Sequence, residues 1–391
     1  GSGLTGVAST DNINTSTPAT MASINATGIV TATAFNPSSG QIVNKNLIIN
    51  GDFRIAQRSG SMVAVSDGSN EGYQSVDRWG FSGNWGSGAV TVGQSSDTPN
   101  KSFSKSYKVD VTTAYAGANG VTVQFYQSIE AQDLASCGWD YTSASSYLNL
   151  SFWVKSPKTG THAVTLETYD GDSQYRVLTY SVSSANTWEK KSIQIPGGSN
   201  ITIDADSQVG MTVYFMMTTG SDYHNTADAW SSSARFGVTG QVNVLDNTAN
   251  NFYLTGVQLE VGESGTPFEH QSFGNELARC QRYYFKQQAT GSVSMFGVCF
   301  MSTTTQAVGL THFPVTMRIK PSALEQSGTA ADYRVIHEAT GTVCNSVPTV
   351  AWNEDWGATT KFWVASGLTQ GQAGFIRSAD ADAYLAWSAE L

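Results

Sequence analysis

The feature that most constrains the fold of this chain is a pair of short segments that alternate apolar and polar residues beside a glycine, Asn46–Phe53 and Phe252–Glu260. Alternation with a period of two is typical of a β-strand with one buried face. The sequence between the two segments contains many further stretches of the same kind. We therefore expect the two segments to be the first and last strands of one β-sandwich.

Length and composition favour a β-rich protein with more than one domain. The chain has 391 residues, which is long for a single ordinary β-sandwich. Charged residues make up 13% of the chain, about half of the share that soluble proteins usually carry. Gly, Ser, Thr and Asn fill the surface positions instead, which is not typical of a helical protein.

The charge balance and the apolar runs exclude two classes of partner. Acidic residues outnumber basic ones by 31 to 21, so the chain lacks the basic surface that binding to nucleic acid requires. The longest apolar runs, such as Met211–Met217, are much shorter than the roughly 20 residues of a membrane-spanning helix. We expect neither nucleic-acid binding nor membrane insertion.

The four cysteines predict no metal or redox site. They include no C-x-x-C pair, and no histidine lies at metal-ligand spacing from them. We expect all four to be buried, small apolar residues, which fits assembly in a reducing cytoplasm. They are Cys137, Cys280, Cys299 and Cys344.

Residues 1–45 form a segment rich in Ser, Thr, Ala and Asn that contains too few large apolar residues for a core of its own. Two interpretations stay open for it. It is either a flexible linker or an extended arm, the end of a fibre shaft, that packs only when several chains wrap together. We favour the extended arm.

Residues 46–270 predict an antiparallel jelly-roll β-sandwich, because many short alternating segments are separated by turn clusters without a helical period. The predicted strands inside this region are Tyr107–Val111, Val121–Ile129, Tyr147–Val154, Ala163–Tyr169, Tyr175–Ser181, Trp188–Ile195, Gln208–Met217 and Asn251–Val261.

Residues 271–290 predict a short linking helix, capped by Ser272 or Asn275. Residues 291–391 predict a second, smaller β-sandwich. Its expected strands are Ser292–Met301, Gln306–Val315, Tyr333–His337, Thr349–Trp352, Lys361–Val364 and Tyr384–Ala389. The chain as a whole is therefore expected to be all-β apart from the linking helix.

The sequence favours binding over catalysis. It contains no nucleophile elbow, phosphate-binding loop or H-E-x-x-H motif. Paired carboxylates could act in a polysaccharide depolymerase, but the pairs in this chain sit in turn-like contexts, so we expect no catalytic residues. These pairs are Asp170 and Asp172, Asp204 and Asp206, and Glu354 and Asp355.

Aromatic residues in loops are the best candidates for ligand contacts, because sugars stack their C–H faces on Trp and Tyr rings and hydrogen-bond to neighbouring polar groups. Trp85 lies in a glycine-rich loop that cannot bury it locally. The predicted ligand-binding residues are Trp85, Tyr169, Asp170, Asp172, Tyr175 and Tyr223.

Several motifs together resemble those of bacteriophage virion proteins of the tail-fibre type. They are Asn46–Arg58 (NLIINGDFRIAQR), Tyr73–Trp79, Leu254–Gly262 (LTGVQLEVG), Thr266–Tyr284 (TPFEHQSFGNELARCQRYY), Phe313–Lys320 (FPVTMRIK) and Trp387–Leu391. The resemblance implies a homotrimeric virion appendage that is assembled in the host cytoplasm. It also implies contacts with other virion structural proteins and attachment to host surface polysaccharide.

The region from Asn46 to Phe268 also resembles carbohydrate-binding jelly rolls, in the order of its segments Phe152–Lys155, Val164–Glu167 and Thr187–Lys190. That resemblance implies a structural calcium ion, for which Asp52 and Glu260 are the candidate ligands. The alternative is that both residues are ordinary charges at strand ends. No cofactor is otherwise expected.

Three functional hypotheses follow. The first is a non-enzymatic tail fibre that attaches to host surface glycans. The second is a purely architectural virion protein, such as a head fibre, capsid decoration or tail connector, that binds no sugar. The third is a polysaccharide depolymerase. We expect the first.

Overall fold

The computed structural model describes residues 45–391, except residue 339. The extended arm predicted for residues 1–45 lies outside this range apart from Lys45. Within the described range, none of the helices is long and apolar enough to cross a membrane.

The described chain up to the end of β12 is an antiparallel β-sandwich, as predicted. Its sheets have the strand orders β1-β3-β4-β12-β6-β9 and β11-β8-β7-β10-β5-β2, and helix α1 (Ala131–Ser136) follows β5. The strands are β1 (Val63–Ser66), β2 (Gly80–Gly83), β3 (Ala89–Ser95), β4 (Ser106–Thr113), β5 (Thr122–Glu130), β6 (Tyr147–Lys155), β7 (Gly160–Thr168), β8 (Gln174–Val182), β9 (Glu189–Pro196), β10 (Val209–Thr219), β11 (Trp230–Ser231) and β12 (Asn251–Val261).

Alternating side chains from both sheets build the core of this sandwich. Aromatic rings occupy its centre: Phe125 stacks on Phe215 with centroids 5.1 Å apart, and Trp79 lies 5.8 Å from Phe125. Phe53 packs against Trp79 at 4.9 Å. All four rings are buried, so the segment that carries Phe53 is anchored in the core.

Segment 46–53 is not a β-strand, which corrects the prediction. It consists of bends and turns, because Asn50 and Phe53 adopt φ values of 58° and 56°, outside the extended region that a strand requires. The predicted neighbourhood of this segment and β12 is nevertheless present. The Leu47 amide donates to the Leu259 carbonyl over 2.9 Å.

Two further contacts hold this segment against β12. The Asn46 side chain donates to the Val257 carbonyl and accepts from the Leu259 amide, both at 3.0 Å. A Cβ atom added at Gly51 would lie 2.1 Å from the Val257 carbonyl oxygen, so only glycine allows this approach. Gly51, within the first alternating segment, is therefore required by packing against β12.

Helix α2 (Phe273–Gln281) begins after Ser272, whose hydroxyl accepts a hydrogen bond from the Asn275 amide at 3.2 Å. Of the two predicted caps, Ser272 is therefore the correct one. The predicted linking segment, residues 271–290, contains this helix and also the strand Tyr284–Gln288.

The second sandwich combines a three-stranded sheet of order β13-β22-β16 with a seven-stranded sheet of order β18-β17-β21-β14-β15-β20-β19. Tyr333, Phe362 and Trp387 are buried in the core between them. The strands are β13 (Tyr284–Gln288), β14 (Met295–Met301), β15 (Gln306–His312), β16 (Leu324–Gln326), β17 (Tyr333–His337), β18 (Thr340–Val343), β19 (Thr349–Glu354), β20 (Gly357–Trp363), β21 (Ala373–Ser378) and β22 (Tyr384–Ser388).

The four cysteines are free and buried, which confirms their predicted role as apolar core residues. Cys280 packs with Ile49, Ile55 and Tyr283 in a small core of its own, and Leu391 covers that core from the C-terminal end of the chain. The first sandwich, helix α2 and the C-terminus thus share apolar packing.

A buried ionic network, which we call the Glu390 network, joins the two sandwiches. The Glu390 carboxylate accepts hydrogen bonds from Arg78 and from Arg58, the latter over 3.1 Å. The guanidinium carbon of Arg78 lies 3.5 Å from the ring centroid of Tyr283, and that of Arg58 lies 3.6 Å from the ring centroid of Tyr284. The Arg78 side chain is 1% exposed, so its charge depends on these partners for stabilisation.

A second set of contacts extends the network. Glu130, at the end of β5, accepts two hydrogen bonds of 2.8 Å from the Arg282 guanidinium. Arg318 donates to the backbone carbonyls of Ser207, Ala389 and Glu390, each over 2.8 Å. Because Ser207 belongs to the first sandwich and Ala389 to the second, Arg318 connects the two directly.

Replacing Glu390 by glutamine should destabilise the protein strongly. The Glu390→Gln variant leaves the buried Arg78 cation without its anion, and such a loss costs about 3–5 kcal/mol of unfolding free energy. Urea-induced unfolding followed by tryptophan fluorescence measures this cost. Glu263→Gln, at an exposed position, is the matched control and should leave the unfolding midpoint unchanged; equal midpoints for the two variants would contradict the role assigned to Glu390.

Candidate functional site

The outer face of the sheet that contains β5, β7, β8 and β10 carries a group of tyrosines. Leu166 and Phe215 point from this sheet into the core, so the residues next to them along each strand, Glu167 and Tyr214, point outward. Cross-strand pairing places Glu167 opposite Tyr175 and Tyr214 opposite Tyr126. The register of the sheet thus brings polar aromatic side chains together on one surface.

One carboxylate organises this surface. Glu167 Oε2 accepts hydrogen bonds from the hydroxyls of Tyr169 at 2.9 Å and Tyr214 at 2.8 Å, and the two hydroxyl oxygens are 2.6 Å apart. Glu167 is 8% exposed. We call Glu167, Tyr169, Tyr175 and Tyr214 the tyrosine cluster.

The tyrosine hydroxyls of the cluster stay protonated at neutral pH. Burial raises the pKa of Tyr169 to about 12, with a smaller contribution from the Glu167 charge. Burial also raises the pKa of Tyr175 and of Tyr214 above the ordinary tyrosine value, and the negative charge of Glu167 acts in the same direction. The cluster therefore presents neutral phenols that can both donate and accept hydrogen bonds.

Phe236, in the connection between β11 and β12, forms the centre of an aromatic group beside the cluster. Its ring centroid lies 5.6 Å from Tyr175, 5.6 Å from Tyr214 and 6.0 Å from Tyr223. The Thr165 hydroxyl donates to the Phe236 carbonyl over 2.8 Å and holds this connection on the sheet. Tyr223 contacts Phe236, and Phe236 in turn contacts Tyr175 and Tyr214 of the cluster.

On the side of the cluster away from Phe236, two more tyrosines, Tyr126 and Tyr73, extend it into a row of aromatic rings. Tyr126 lies 5.8 Å from Tyr214, and Tyr73 lies 5.7 Å from Tyr126. A Cβ atom at Gly80 would lie 2.5 Å from the Tyr126 ring, so the glycine in β2 makes room for that ring. The row of rings therefore crosses most of the sheet.

The structure brings together three of the residues predicted from sequence, Tyr169, Tyr175 and Tyr223. Tyr169 is 38% exposed, and the other two are half-buried. Asp170 and Asp172 lie in the turn that follows Tyr169; Asp172 is exposed, whereas Asp170 accepts a hydrogen bond from the Asp204 amide at 2.9 Å. Asp170 therefore fixes the turn that carries Tyr169.

Trp85 is not a surface residue, and the prediction that it contacts ligand is wrong. Its side chain is 1% exposed and belongs to the core of the first sandwich. Phe81 lies 5.9 Å from its ring, and Gly88 approaches it so closely that a Cβ there would lie 2.7 Å away. The glycines of the loop allow the chain to fold Trp85 inward rather than leaving it exposed.

Glu167, Tyr214, Tyr126 and Phe236 were missed from sequence. The signal for Tyr214 was present: in β10 it alternates with Val213 and Phe215, which are fully buried, so it lies on the opposite face. Because both faces of β10 are largely apolar, the alternation alone did not distinguish Tyr214 from a core residue.

Asp52 and Glu260 do not fit the predicted calcium site. Glu260 accepts hydrogen bonds from Gln258 and from the amide and hydroxyl of Thr266, each at 2.7 Å. Asp52 forms an ion pair with Arg54 at 3.2 Å. Since different internal partners occupy the two carboxylates, they are not free to share a cation. Residues 45–391, apart from residue 339, contain no group of three or more His, Cys, Asp or Glu side chains that could hold a metal.

Of the three carboxylate pairs considered for catalysis, Asp170 and Asp172 lie in the turn beside the tyrosine cluster, and the other two pairs are exposed between strands. Asp204 and Asp206 are exposed in the connection between β9 and β10, and Glu354 and Asp355 are exposed at the turn between β19 and β20.

The chain matches no protein-family model and no curated protein. Solved structures similar to it include the enzymatically active domain of bacteriophage CBA120 tailspike protein 4, at 17% identity and a TM-score of 0.31, covering 56% of this chain and 22% of that one. The chain thus spans about a fifth of the tailspike domain's length.

Two carbohydrate-binding modules are also similar to this chain. The family 11 module from Clostridium thermocellum has 15% identity and a TM-score of 0.26, covering 55% of this chain and 99% of the module. The xylan-binding CBM22-1 domain from Paenibacillus barcinonensis Xyn10C has 12% identity and a TM-score of 0.24, covering 53% and 99%.

Removing the charge of Glu167 should make Tyr169 easier to deprotonate. In the Glu167→Gln variant the pKa of Tyr169 should fall below its value of about 12, yet stay above the ordinary value because burial remains. Alkaline titration by near-ultraviolet absorbance, with Tyr169→Phe subtracted in each background, measures this shift. Glu263→Gln serves as the control, and an unchanged Tyr169 titration in Glu167→Gln would refute the electrostatic coupling.

Proposed function

We propose that this protein binds carbohydrate through the outer face of the sheet that contains β5, β7, β8 and β10. The observation that carries the proposal is the tyrosine cluster, in which one buried carboxylate orients the hydroxyls of neighbouring, partly exposed aromatic rings. Sugar recognition requires flat apolar surfaces beside oriented polar groups.

Charge supports a neutral polysaccharide as the ligand. The hydroxyls of the cluster are uncharged at neutral pH, and the charged residues within three positions of Tyr169 along the chain are acidic, namely Glu167, Asp170 and Asp172. A neutral sugar can stack on Tyr169 and Tyr175 and exchange hydrogen bonds with their hydroxyls. A polyanion would instead be repelled by these carboxylates.

Binding without hydrolysis is the activity we propose. Glu167 is held by two tyrosine hydroxyls, which suits a fixed acceptor and positioning group. Two-carboxylate hydrolysis would need a second carboxylate facing the same sugar across a gap of about 5–10 Å, and Asp170, the nearest candidate along the chain, is engaged with the Asp204 amide.

The biological setting we propose is a virion appendage of the tail-fibre type, built as a homotrimer. The resemblance of the motifs from Asn46 to Leu391 to such proteins supports it. In this setting the first sandwich attaches to host surface polysaccharide, and other virion proteins hold the appendage on the particle.

Tyr169→Ala and Tyr175→Ala should each weaken polysaccharide binding by about 3- to 10-fold, the expected loss of one aromatic contact. An array of bacterial surface polysaccharides and neutral β-glucans identifies the ligand, and affinity electrophoresis then compares the variants. Tyr253→Ala, on the opposite sheet, is the matched control.

Three results would overturn parts of this proposal. Equal weakening by Tyr253→Ala would place the site elsewhere. Failure of the unmodified protein to bind any arrayed glycan would favour a purely architectural role. Release of oligosaccharide fragments from a bound polysaccharide would identify a depolymerase.

The outer face of the seven-stranded sheet supports self-association. Cross-strand pairing places Val298, Phe300, Leu310 and Trp352 on this face, with exposed fractions of 67%, 54%, 39% and 71%. We call this surface the apolar sheet face. Contiguous apolar surface of this kind is typical of protein interfaces, and further copies of this chain are the partner that a homotrimer provides.

Val298→Lys should reduce the molar mass in solution from that of a trimer to that of a monomer, because three buried lysines would have to lose their hydration at the interface. Light scattering coupled to size-exclusion chromatography measures the mass. Ser183→Lys, at an exposed position of the first sandwich, should remain trimeric. A monomeric unmodified protein, or a trimeric Val298→Lys variant, would contradict this interface.

A further inference from the structure

A polar pocket lies between the two sandwiches, at the end of the tyrosine row. Its volume is about 420 Å³, and it is lined by Arg58, Tyr73, Gln74, Glu325, Tyr384 and Ser388. Glu325 belongs to β16 and Tyr384 and Ser388 to β22, whereas the other three precede β2. Both sandwiches therefore contribute side chains to one pocket, which we call the interdomain pocket.

The pocket resembles the tyrosine cluster in its chemistry. It combines two tyrosine rings with a carboxylate that a third tyrosine orients: the Tyr284 hydroxyl donates to Glu325 Oε2 over 2.9 Å. In the described part of the chain, Glu325 Oε1 and the Tyr384 hydroxyl have no hydrogen-bond partner, although both residues are only half-exposed. An acceptor and a donor are thus available inside the pocket.

Arg58 and Ser388, two of the polar groups of the pocket, are held in place by the Glu390 network. Arg58 donates to Glu390 at 3.1 Å and to the Ser388 hydroxyl at 3.2 Å, which fixes the guanidinium at the pocket wall. Lys286 lies 4.3 Å from the ring centroid of Tyr384 and supports that ring. Arg58 and Ser388 are therefore positioned by a contact that crosses the interface.

A series of ring contacts links the pocket to the tyrosine cluster. Tyr73 lines the pocket and lies 5.7 Å from Tyr126, which in turn lies 5.8 Å from Tyr214 of the cluster. Neighbouring strands are about 4.8 Å apart, so the row from Tyr175 in β8 across β7, β10 and β5 extends over several strand spacings. An extended ligand that lies across the strands can follow this row into the pocket.

We infer that the interdomain pocket is a second subsite for the same neutral polysaccharide, so that one glycan chain contacts both sandwiches. This inference rests on the proposed function of the tyrosine cluster. The cluster binds the central sugars by stacking, and the pocket accepts the hydroxyls of a sugar farther along the chain at Glu325 and Tyr384. Affinity should consequently depend on ligand length.

The test uses the full chain and a series of neutral β-glucan oligosaccharides, from disaccharide to hexasaccharide, together with the length series of the arrayed glycan that binds best. Isothermal titration calorimetry compares Tyr384→Ala and Glu325→Gln with Tyr175→Ala. For the unmodified protein, affinity should rise with length. Both pocket variants should bind short oligosaccharides normally and lose about 3- to 10-fold of the affinity for the longest ones.

The results for the cluster variant and the pocket variants distinguish failure of the second subsite from failure of the proposed binding site. If Tyr175→Ala weakens binding at every length while the pocket variants match the unmodified protein at every length, the cluster binds glycan and the pocket does not. If Tyr175→Ala has no effect at any length, the cluster proposal fails and the pocket inference fails with it. Glu325→Gln retains the size of the side chain, so its unfolding midpoint distinguishes a lost contact from a damaged interface.

Discussion

The contact between Glu390 and two arginines, Arg58 and Arg78, is the interaction on which the rest of the structure depends. A carboxylate just beyond the last strand of the second sandwich neutralises two cations that belong to the first. Because these groups are buried, each charge would carry a large desolvation penalty if its partners were removed. The two sandwiches are therefore held in one relative position by charge neutralisation and by the stacking of the guanidinium groups on Tyr283 and Tyr284.

That fixed position bears on the proposed recognition of glycan. The tyrosine cluster lies entirely on the first sandwich, whereas Glu325 and Tyr384 of the interdomain pocket come from the second. A ligand that contacts both gains from a rigid interface, because little freedom remains to be lost on binding. The network also brings together Arg58, Arg78 and Glu390, which are far apart in sequence, at one interface.

Regular alternation of apolar and polar residues made many of the strands predictable from sequence. Local backbone geometry, which alternation does not reveal, limited the accuracy of that prediction. β6 and β12 agree with the predicted segments to within one residue, because their apolar side chains alternate over long stretches. Segment 46–53 shows the same alternation but is irregular, since Asn50 and Phe53 adopt positive φ angles. Strands such as β2 and β16 were not predicted, as they are short and pair with longer neighbours that supply most of the packing.

By itself, the sequence determined the all-β class, the burial of the cysteines and the placement of Tyr169 and Tyr175 beside a turn, because these properties follow from composition and from neighbours along the chain. Only the tertiary structure decided that Trp85 is buried and that Tyr214 shares a carboxylate with Tyr169. The physical reason is that burial and hydrogen bonding depend on groups brought together by strand register, and the register between β7 and β10 is set by the packing of two whole sheets.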